Sequence, residues 1–269
     1  MPNQLEATYT KLIQLASTLP GVQSIGRSGG GALPQSPAEG DIDVFLYCDI
    51  IPSQEARKAI LDSMCNELDI MQVSVFSGGR WGDGDFARIG GVETWLMYFT
   101  LEQAAAEVDA VLRGEQPDRE GTYFYPTGRC AMYLGMEVLL DRGGFLREMK
   151  ERLAVYPEML ADKLLEHHLA ALDDTEDLER AVARKDPLFY HFALDISLDH
   201  FLQALFALNR VFFPSRKRSL EHIASFKAKP ADCEKRILDV IRLGGTAEGI
   251  GQSYGIWTDL VKELKQLAE

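Results

Sequence analysis

The chain has 269 residues, of which 46% are apolar and 26% are charged, and its formal net charge is −13. These proportions are ordinary for a globular protein with one large core or two modest ones. They exclude a disordered chain, a collagen and a small disulfide scaffold. A chain this acidic lacks the surplus of cations with which a general nucleic-acid binder displaces counterions from phosphate.

Four scattered cysteines with no Cys-x-x-Cys pair argue against a zinc site and favour reduced thiols. The first six residues show neither the basic nor the apolar segment of a signal peptide. The most apolar stretch, 189–213, is interrupted by charged and polar side chains, so we expect no transmembrane helix. A cytoplasmic protein with no membrane partner is therefore expected.

The first part of the chain alternates between helical and strand patterns, separated by turn residues. In chain order, the predicted elements are a helix over 5–19, a strand over 22–25, a loop over 26–40, a strand over 42–47, a helix over 53–64, a strand over 71–76, a loop over 77–90, a strand over 91–99 and a helix over 100–114.

From about Pro126 onward the periodicity is helical, with breaks at proline and glycine positions. The pattern predicts an α+β protein with two domains. The first, over 1–120, has a small mixed sheet flanked by helices. The second, over 121–269, is a helical bundle.

A glycine-rich run over 28–31 precedes a predicted strand that begins with Asp41 and Asp43. Side chains alternate along a strand, so these two carboxylates share a face and lie roughly 7 Å apart. They repel each other unless a cation lies between them, and Mg²⁺ prefers such oxygen ligands. Backbone N–H groups in a glycine-rich loop can approach phosphate oxygens closely. The combination predicts a site for a metal ion and a nucleoside triphosphate.

This arrangement resembles the polymerase-beta-like nucleotidyltransferase superfamily, in which a glycine turn precedes an Asp-x-Asp strand. Gly29 and Gly30 match the turn, with Gly30 in the usual serine position and Ser28 as a displaced hydroxyl. The resemblance implies a nucleotidyltransferase domain that holds Mg²⁺ on Asp41 and Asp43. Residues 28–30 would then contact ATP or another nucleoside triphosphate. In layout the chain is similar to the aminoglycoside and lincosamide nucleotidyltransferases.

The same resemblance implies a third carboxylate on a neighbouring strand, and Glu93 is the best match. It interrupts an otherwise apolar strand, where an unpaired charge is costly. Asp83 and Asp85 are the alternative, although the predicted loop around them favours solvated turn residues.

In the helical half, His191, Asp195 and Asp199 are spaced four apart and share one helix face. The resemblance implies that Asp195 or Asp199 deprotonates an acceptor hydroxyl, with His191 assisting. The structural alternative is a buried carboxylate that pairs with an arginine or caps a helix.

The resemblance also implies that a cation of the helical half holds the triphosphate. Lys217, in the densest cationic cluster of the chain, is the first candidate and Arg210 the next. An ordinary basic helix start is the alternative. The adjacent His167 and His168 point in different directions on a helix, so we expect them to be poor joint metal ligands.

These observations together predict a Mg²⁺-dependent enzyme that moves a nucleoside monophosphate, with AMP from ATP favoured, to the hydroxyl of a small molecule. The acidic charge favours a cationic acceptor of the aminoglycoside type, which would suit a role in antibiotic resistance. A protein or tRNA acceptor, or a degenerate copy that binds nucleotide or a partner without turnover, remains open. The stripe of Phe201, Leu205 and Phe212 fits either a core or a homodimer interface.

Overall fold

The computed structural model describes residues 4–29, 31–121 and 124–269, which fold into an α+β arrangement, as predicted. The strands found in these residues form one sheet: β1 (Val22–Arg27), β2 (Ile42–Cys48), β3 (Ile70–Phe76), β4 (Asp83–Ile89), β5 (Val92–Thr100) and β6 (Glu137–Asp141). The helices are α1 (Gln4–Ala16), α2 (Gln54–Ser63), α3 (Leu101–Leu112), α4 (Pro126–Gly135), α5 (Phe145–Leu153), α6 (Glu158–Ala171), α7 (Glu176–Arg184), α8 (Pro187–Leu208), α9 (Ser219–Ala224), α10 (Cys233–Gly244) and α11 (Ile250–Ala268).

The chain divides into two compact units, which we call the sheet unit and the helical unit. The sheet unit comprises Met1–Asp109 and Met132–Val155, and the helical unit comprises Ala110–Ala131 and Tyr156–Glu269. These bounds differ from the predicted division into 1–120 and 121–269. The difference has a physical cause, because β6 pairs with β1 and so draws the segment around it into the sheet unit. The helical pattern of the second half gave no sign of this strand.

The strand order of the sheet is β3-β4-β5-β2-β1-β6. β2 and β5 run parallel, while the other neighbours are antiparallel. One face, called the core face, carries Ile42, Val44 and Leu46 of β2, which are almost completely buried. Apolar side chains of α1 and α2 belong to the same hydrophobic cluster. The alternate residues of β2, including Asp43, therefore project from the other face.

That other face is aromatic along its middle. Tyr47 lies 5.0 Å from the ring of Phe145 and 5.6 Å from that of Tyr133, measured between centroids. Close packing on this face requires glycine at position 26, because a Cβ there would lie 2.1 Å from the Met136 sulfur. These contacts fix the middle of the sheet and leave the first residues of β2 and β5 as its edge.

Most local predictions for the sheet unit are confirmed, including both helix starts. The Ser53 hydroxyl accepts a hydrogen bond from the Ala56 N–H at 3.2 Å and caps α2. Thr100 and Gln103 form a reciprocal capping box at α3. The predicted loop over 77–90 is wrong, because β4 fills most of it. Glycines and charged residues conceal the alternation of that strand.

The helical unit has its own core, built around α8 with contributions from α7, α10 and α11. Phe201 and Leu205 belong to this core, and Phe212 is buried with its ring against Tyr156. The apolar stripe is therefore core and supplies no interface for a homodimer. Among the helices of the described residues, none combines the length and apolar character needed to cross a membrane.

Candidate active site

The turn after β1 is joined directly to Asp43. The Ser28 N–H donates to the Asp43 carbonyl at 3.0 Å, and the Ser28 hydroxyl lies 3.5 Å from the Asp43 carboxylate, a long hydrogen bond. Gly29 has φ +67, a left-handed conformation that glycine adopts without strain, and the space around its Cα is open. Gly30 lies outside the described residues. The chain thus turns beside the carboxylate, with its backbone exposed.

Asp41 and Asp43 lie where β2 begins. Asp43 is the second residue of the strand and is half-buried, while Asp41 immediately precedes the strand and is exposed. Ile42 and Val44 are buried on the core face. The alternation therefore directs Asp43 to the opposite face, where Ser28 contacts it. Within the described part of the chain, no side chain pairs with the Asp41 carboxylate.

Glu93 lies near the start of β5, on the same face as Asp43. Asp43 is in register with Trp95 of the parallel strand, and Glu93 precedes Trp95 by two residues. Residues two apart on a strand share a face. β2 and β5 start at the same edge of the sheet, because they run parallel. The sheet thus brings the turn, Asp43 and Glu93 to the same edge, where both strands begin. We call Asp41, Asp43 and Glu93, with the turn at Ser28, the acidic edge.

Glu93 is exposed, so the expectation of a costly charge within an apolar strand is wrong. Its carboxylate lies 3.6 Å from the Arg88 guanidinium of β4, with about half of the Glu93 side chain in contact with solvent. Such a surface pair contributes about 0–1 kcal/mol to stability. Glu93 therefore remains accessible to a ligand.

Arg27, which the sequence analysis missed, supports the loop after the turn. It is only 4% exposed and donates to the Glu137 carboxylate at 2.9 Å from Nε and 2.5 Å from Nη2. The same Nη2 donates to the Gly31 carbonyl at 2.5 Å. The sequence feature that could have indicated this role is a single arginine directly before the glycine-rich turn. Its contacts fix the beginning of the loop that leads from the turn to Asp41.

Asp85, an alternative third carboxylate, lies in β4 and is completely buried, so its prediction as a solvated turn residue is wrong. Its Oδ1 accepts hydrogen bonds from Arg57 Nη1 and the Ser74 N–H, each at 2.9 Å. Burial raises the pKa of Asp85, and these two donors counteract part of that effect. Asp85 is in register with Leu96, which belongs to the apolar cluster of the core face. It therefore stabilises the core and is separate from the acidic edge.

Asp83, the other alternative, begins β4 instead of lying in a loop. Its Oδ1 accepts hydrogen bonds from the Ser77 hydroxyl at 2.6 Å and from the Gly78 N–H at 3.1 Å. The carboxylate therefore fixes the turn that leads into β4.

In the helical unit, Asp195 and Asp199 of α8 are held by two arginines. Arg216 Nε donates to Asp199 at 2.5 Å, and its Nη1 binds Asp195. Arg119 Nη1 lies 3.0 Å from the second Asp199 oxygen. The Tyr125 hydroxyl donates to Asp199 at 2.8 Å. Burial, together with this carboxylate acceptor, raises the pKa of Tyr125 to about 12, so its hydroxyl stays protonated at neutral pH.

These contacts match the structural alternative for Asp199, a buried carboxylate paired with arginine. Asp195 differs, because half of its side chain surface is exposed. His191 is half-buried one helical turn before Asp195. The role of Asp195 as a base, with His191 assisting, remains a prediction.

The two candidate phosphate-binding cations differ in their surroundings. Arg210 donates to Glu158, with Nη2 and Oε2 2.6 Å apart, and to the carbonyls of Ala207 and Leu208. It therefore closes the end of α8. Lys217 is exposed, and within the described residues its ammonium forms no ion pair. Lys217 thus has a cation available for a ligand, and a phosphate-binding role stays a prediction for both residues.

Comparison with known proteins adds little to this geometry. A family model described as a domain of unknown function (DUF4037) matches residues 125–218, less than half of the chain. No curated protein matches the sequence. Among solved structures, the chain is similar to a nucleotidyltransferase-like protein from Exiguobacterium sibiricum 255-15. The two are 12% identical, the alignment covers 98% of this chain and 74% of that chain, and the TM-score is 0.47. The function of this chain is therefore inferred from its own residues.

Proposed function

We propose that the protein is a Mg²⁺-dependent nucleotidyltransferase that moves a nucleoside monophosphate, AMP from ATP in the first instance, to a hydroxyl group of a small acceptor. The observation that carries this proposal is the acidic edge. There the Ser28 turn contacts Asp43, and Glu93 lies on the same face of the neighbouring parallel strand. This is the arrangement that the sequence resemblance implies.

The residues of the acidic edge fit a magnesium ion. Carboxylates and a hydroxyl are hard oxygen donors, which Mg²⁺ prefers over nitrogen or sulfur ligands. Asp41 and Glu93 are also exposed, so an ion can reach their carboxylates from solvent. In the proposal, Asp41 and Asp43 hold the ion and Glu93 completes the site nearer the nucleophile. The bound ion neutralises charge that develops on the phosphate oxygens.

The turn residues have a separate part in the proposal. Gly29 leaves backbone exposed beside Asp43, so that the N–H groups of the turn can approach phosphate oxygens. The acceptor oxygen bonds to the α-phosphorus, the bond to pyrophosphate breaks, and the hydroxyl proton passes to a base. Asp195 is the proposed base, since it is more exposed than Asp199. Lys217 is the proposed partner of the triphosphate.

The proposal is tested by pyrophosphate release from Mg²⁺-ATP in the presence of a panel of hydroxyl acceptors that includes aminoglycosides. We expect release that depends on both metal and acceptor, and its loss in Asp43→Asn. The matched control is Asp62→Asn, because Asp62 is an exposed carboxylate of α2, outside the acidic edge. Absence of release with every acceptor would contradict the proposal. Mass spectrometry after incubation with labelled ATP separates a small acceptor from a protein or tRNA acceptor.

A further inference from the structure

Three of the five histidines meet in the helical unit, beside Asp118. His167 and His168 are on α6, His200 is on α8, and Asp118 lies in the segment between α3 and α4. One potential ligand atom from each residue lies within 4.8 Å of the other three. His167 and His168, which the sequence predicts to be poor joint metal ligands, are thus brought into one cluster by α8 and the Asp118 segment.

The spacing within this cluster is close to that of a metal coordination sphere. His167 Nε2 lies 2.7 Å from Asp118 Oδ1, and His168 Nδ1 lies 2.9 Å from His200 Nδ1. Ligand atoms about 2.0 Å from a tetrahedral zinc ion are about 3.3 Å apart. The observed range, from 2.7 Å to 4.8 Å, includes that value.

His168 is the most deeply buried member of the cluster. It is completely buried, and its Nδ1 faces His200 Nδ1. Its Nε2, on the other side of the ring, makes no hydrogen bond of normal geometry within the described residues and lies beside the Pro117 backbone. One ring nitrogen can thus bind an ion while the backbone beside the other fixes the orientation of the ring.

We propose that Asp118, His167, His168 and His200 bind a divalent transition-metal ion of the zinc class. Three imidazoles and one carboxylate form a donor set that suits zinc, cobalt or nickel, whereas Mg²⁺ prefers oxygen ligands throughout. No thiolate is needed, so the scattered cysteines do not bear on this site. The proposal is independent of nucleotidyl transfer at the acidic edge.

An entry path for the ion is also present. Asp118 and His200 line a cavity of about 150 Å³, together with Arg119, Asp199 and Gln203. His167 is half-buried and Asp118 is exposed, so the cluster is open on one side. The ion would thus bind where solvent can deliver it.

The test uses the full chain, stripped of metal with a chelator and titrated with Zn²⁺ in a calorimeter and with Co²⁺ in a spectrophotometer. We expect one ion per chain, visible absorption of tetrahedral Co²⁺, and a higher melting temperature with Zn²⁺. His200→Gln and Asp118→Asn should each weaken binding by at least about tenfold. His222→Gln is the matched control, because His222 is an exposed histidine outside the cluster.

A second pair of variants keeps the test decisive if His200→Gln does not fold. His167→Gln removes a half-buried ring and should weaken zinc binding as strongly, while Asp41→Asn/Asp43→Asn should leave one zinc ion bound. Absence of Zn²⁺ and Co²⁺ binding by the wild type would overturn the proposal. Equal affinity in the wild type and in all cluster variants would also overturn it.

Discussion

The acidic edge of the sheet unit and the acidic pair of α8 contain the same side chains in opposite electrostatic surroundings. At the edge, Asp41 and Glu93 are exposed, and Glu93 forms a surface ion pair with Arg88. On α8, Asp195 and Asp199 are balanced by Arg119 and Arg216. In the first arrangement, the exposed carboxylates remain accessible to a cation from solvent. The second is already neutral.

The comparison teaches that spacing alone does not identify a metal-binding pair of carboxylates. Asp41 and Asp43 share a strand face, and Asp195 and Asp199 share a helix face, so both pairs place two carboxylates side by side. What separates them is the position of arginines that are distant along the chain. Arg119 precedes Asp199 by 80 residues and contacts it only because the helical unit is folded.

The largest expected effect concerns Asp85, which lies outside both regions and is a buried carboxylate paired with an arginine. Asp85→Ala should lower the free energy of unfolding by about 3–5 kcal/mol, because it leaves the buried Arg57 guanidinium without its partner. Denaturant unfolding measures this change. The double variant Arg57→Met/Asp85→Leu should recover much of the loss. A cost below about 1 kcal/mol for Asp85→Ala would contradict the account of this pair.

At the acidic edge, a substitution should reduce activity strongly and stability only slightly. Asp43→Asn should reduce pyrophosphate release by at least about 100-fold, which is about 2.7 kcal/mol in the activation barrier. Its free energy of unfolding should change by less than about 1 kcal/mol, because Asp43 is half-buried at the start of β2 and the Ser28 hydroxyl lies at a long hydrogen-bond distance from it. A variant with full activity would remove the proposed distinction between the two regions.

On α8, removing the buried acid should cost more than removing the exposed one. Asp199→Asn should lower the free energy of unfolding by about 2 kcal/mol, because two arginines and Tyr125 lose a charged acceptor. Asp195→Asn should cost less than about 1 kcal/mol, since half of its side chain is exposed to water. Thermal and denaturant unfolding of the two variants provide the measurement. Equal costs would show that burial does not set the difference.

Substitution of Glu93 should have a smaller effect on activity. It also distinguishes the proposed contact of Glu93 with the metal ion from its ion pair with Arg88. Glu93→Gln should lower activity by about tenfold, about 1.4 kcal/mol, if its carboxylate completes the metal site. The free energy of unfolding should change by less than about 0.5 kcal/mol, because the pair with Arg88 is a surface pair. Arg88→Gln is the matched control, since it removes the same pair and leaves the carboxylate. Parallel loss of activity in both variants would contradict a direct role for Glu93.

The smallest expected effect concerns Asp141, a carboxylate held mainly by hydrogen bonds. Burial opposes ionisation of Asp141, but hydrogen bonds from Ser24 and from the N–H groups of Arg147 and Leu146 outweigh it and lower its pKa. Its stabilisation, about 1 kcal/mol, is therefore present above the ordinary carboxyl pKa and lost as the pH falls through the lowered value. The difference in stability between wild type and Asp141→Asn should shrink from pH 7 to pH 3. A constant difference would contradict this origin.

The sequence predicted those parts of the fold that local patterns determine. β1, β2, α2 and the capping box of α3 follow from alternation, helical period and capping residues, each within a few positions. β4 was missed because its glycines and charges conceal the period of two. β6 was missed because it is a short edge strand within a helical stretch, and its pairing with β1 is a long-range event.

For the candidate site, too, the sequence predicted contacts between residues that are close along the chain and missed contacts between distant ones. The glycine turn and the Asp-x-Asp strand are adjacent in sequence, so the contact of Ser28 with Asp43 could be anticipated. Arg27 could not be assigned, because its partner Glu137 comes from β6. The cluster of Asp118, His167 and His200 was also hidden, since its members come from three distant segments. Tertiary packing brings these residues together, and the periodicity of the sequence predicts local structure only.

The measurement that tests the central claim most directly is calorimetric titration of a non-hydrolysable ATP analogue, with and without Mg²⁺. It compares the wild type with Asp41→Asn/Asp43→Asn, and Asp62→Asn serves as the control. The account predicts binding to the wild type and to the control that requires Mg²⁺ and is lost in the double variant. Absence of binding to the wild type, or binding that survives in the double variant, would contradict a nucleotide site at the acidic edge.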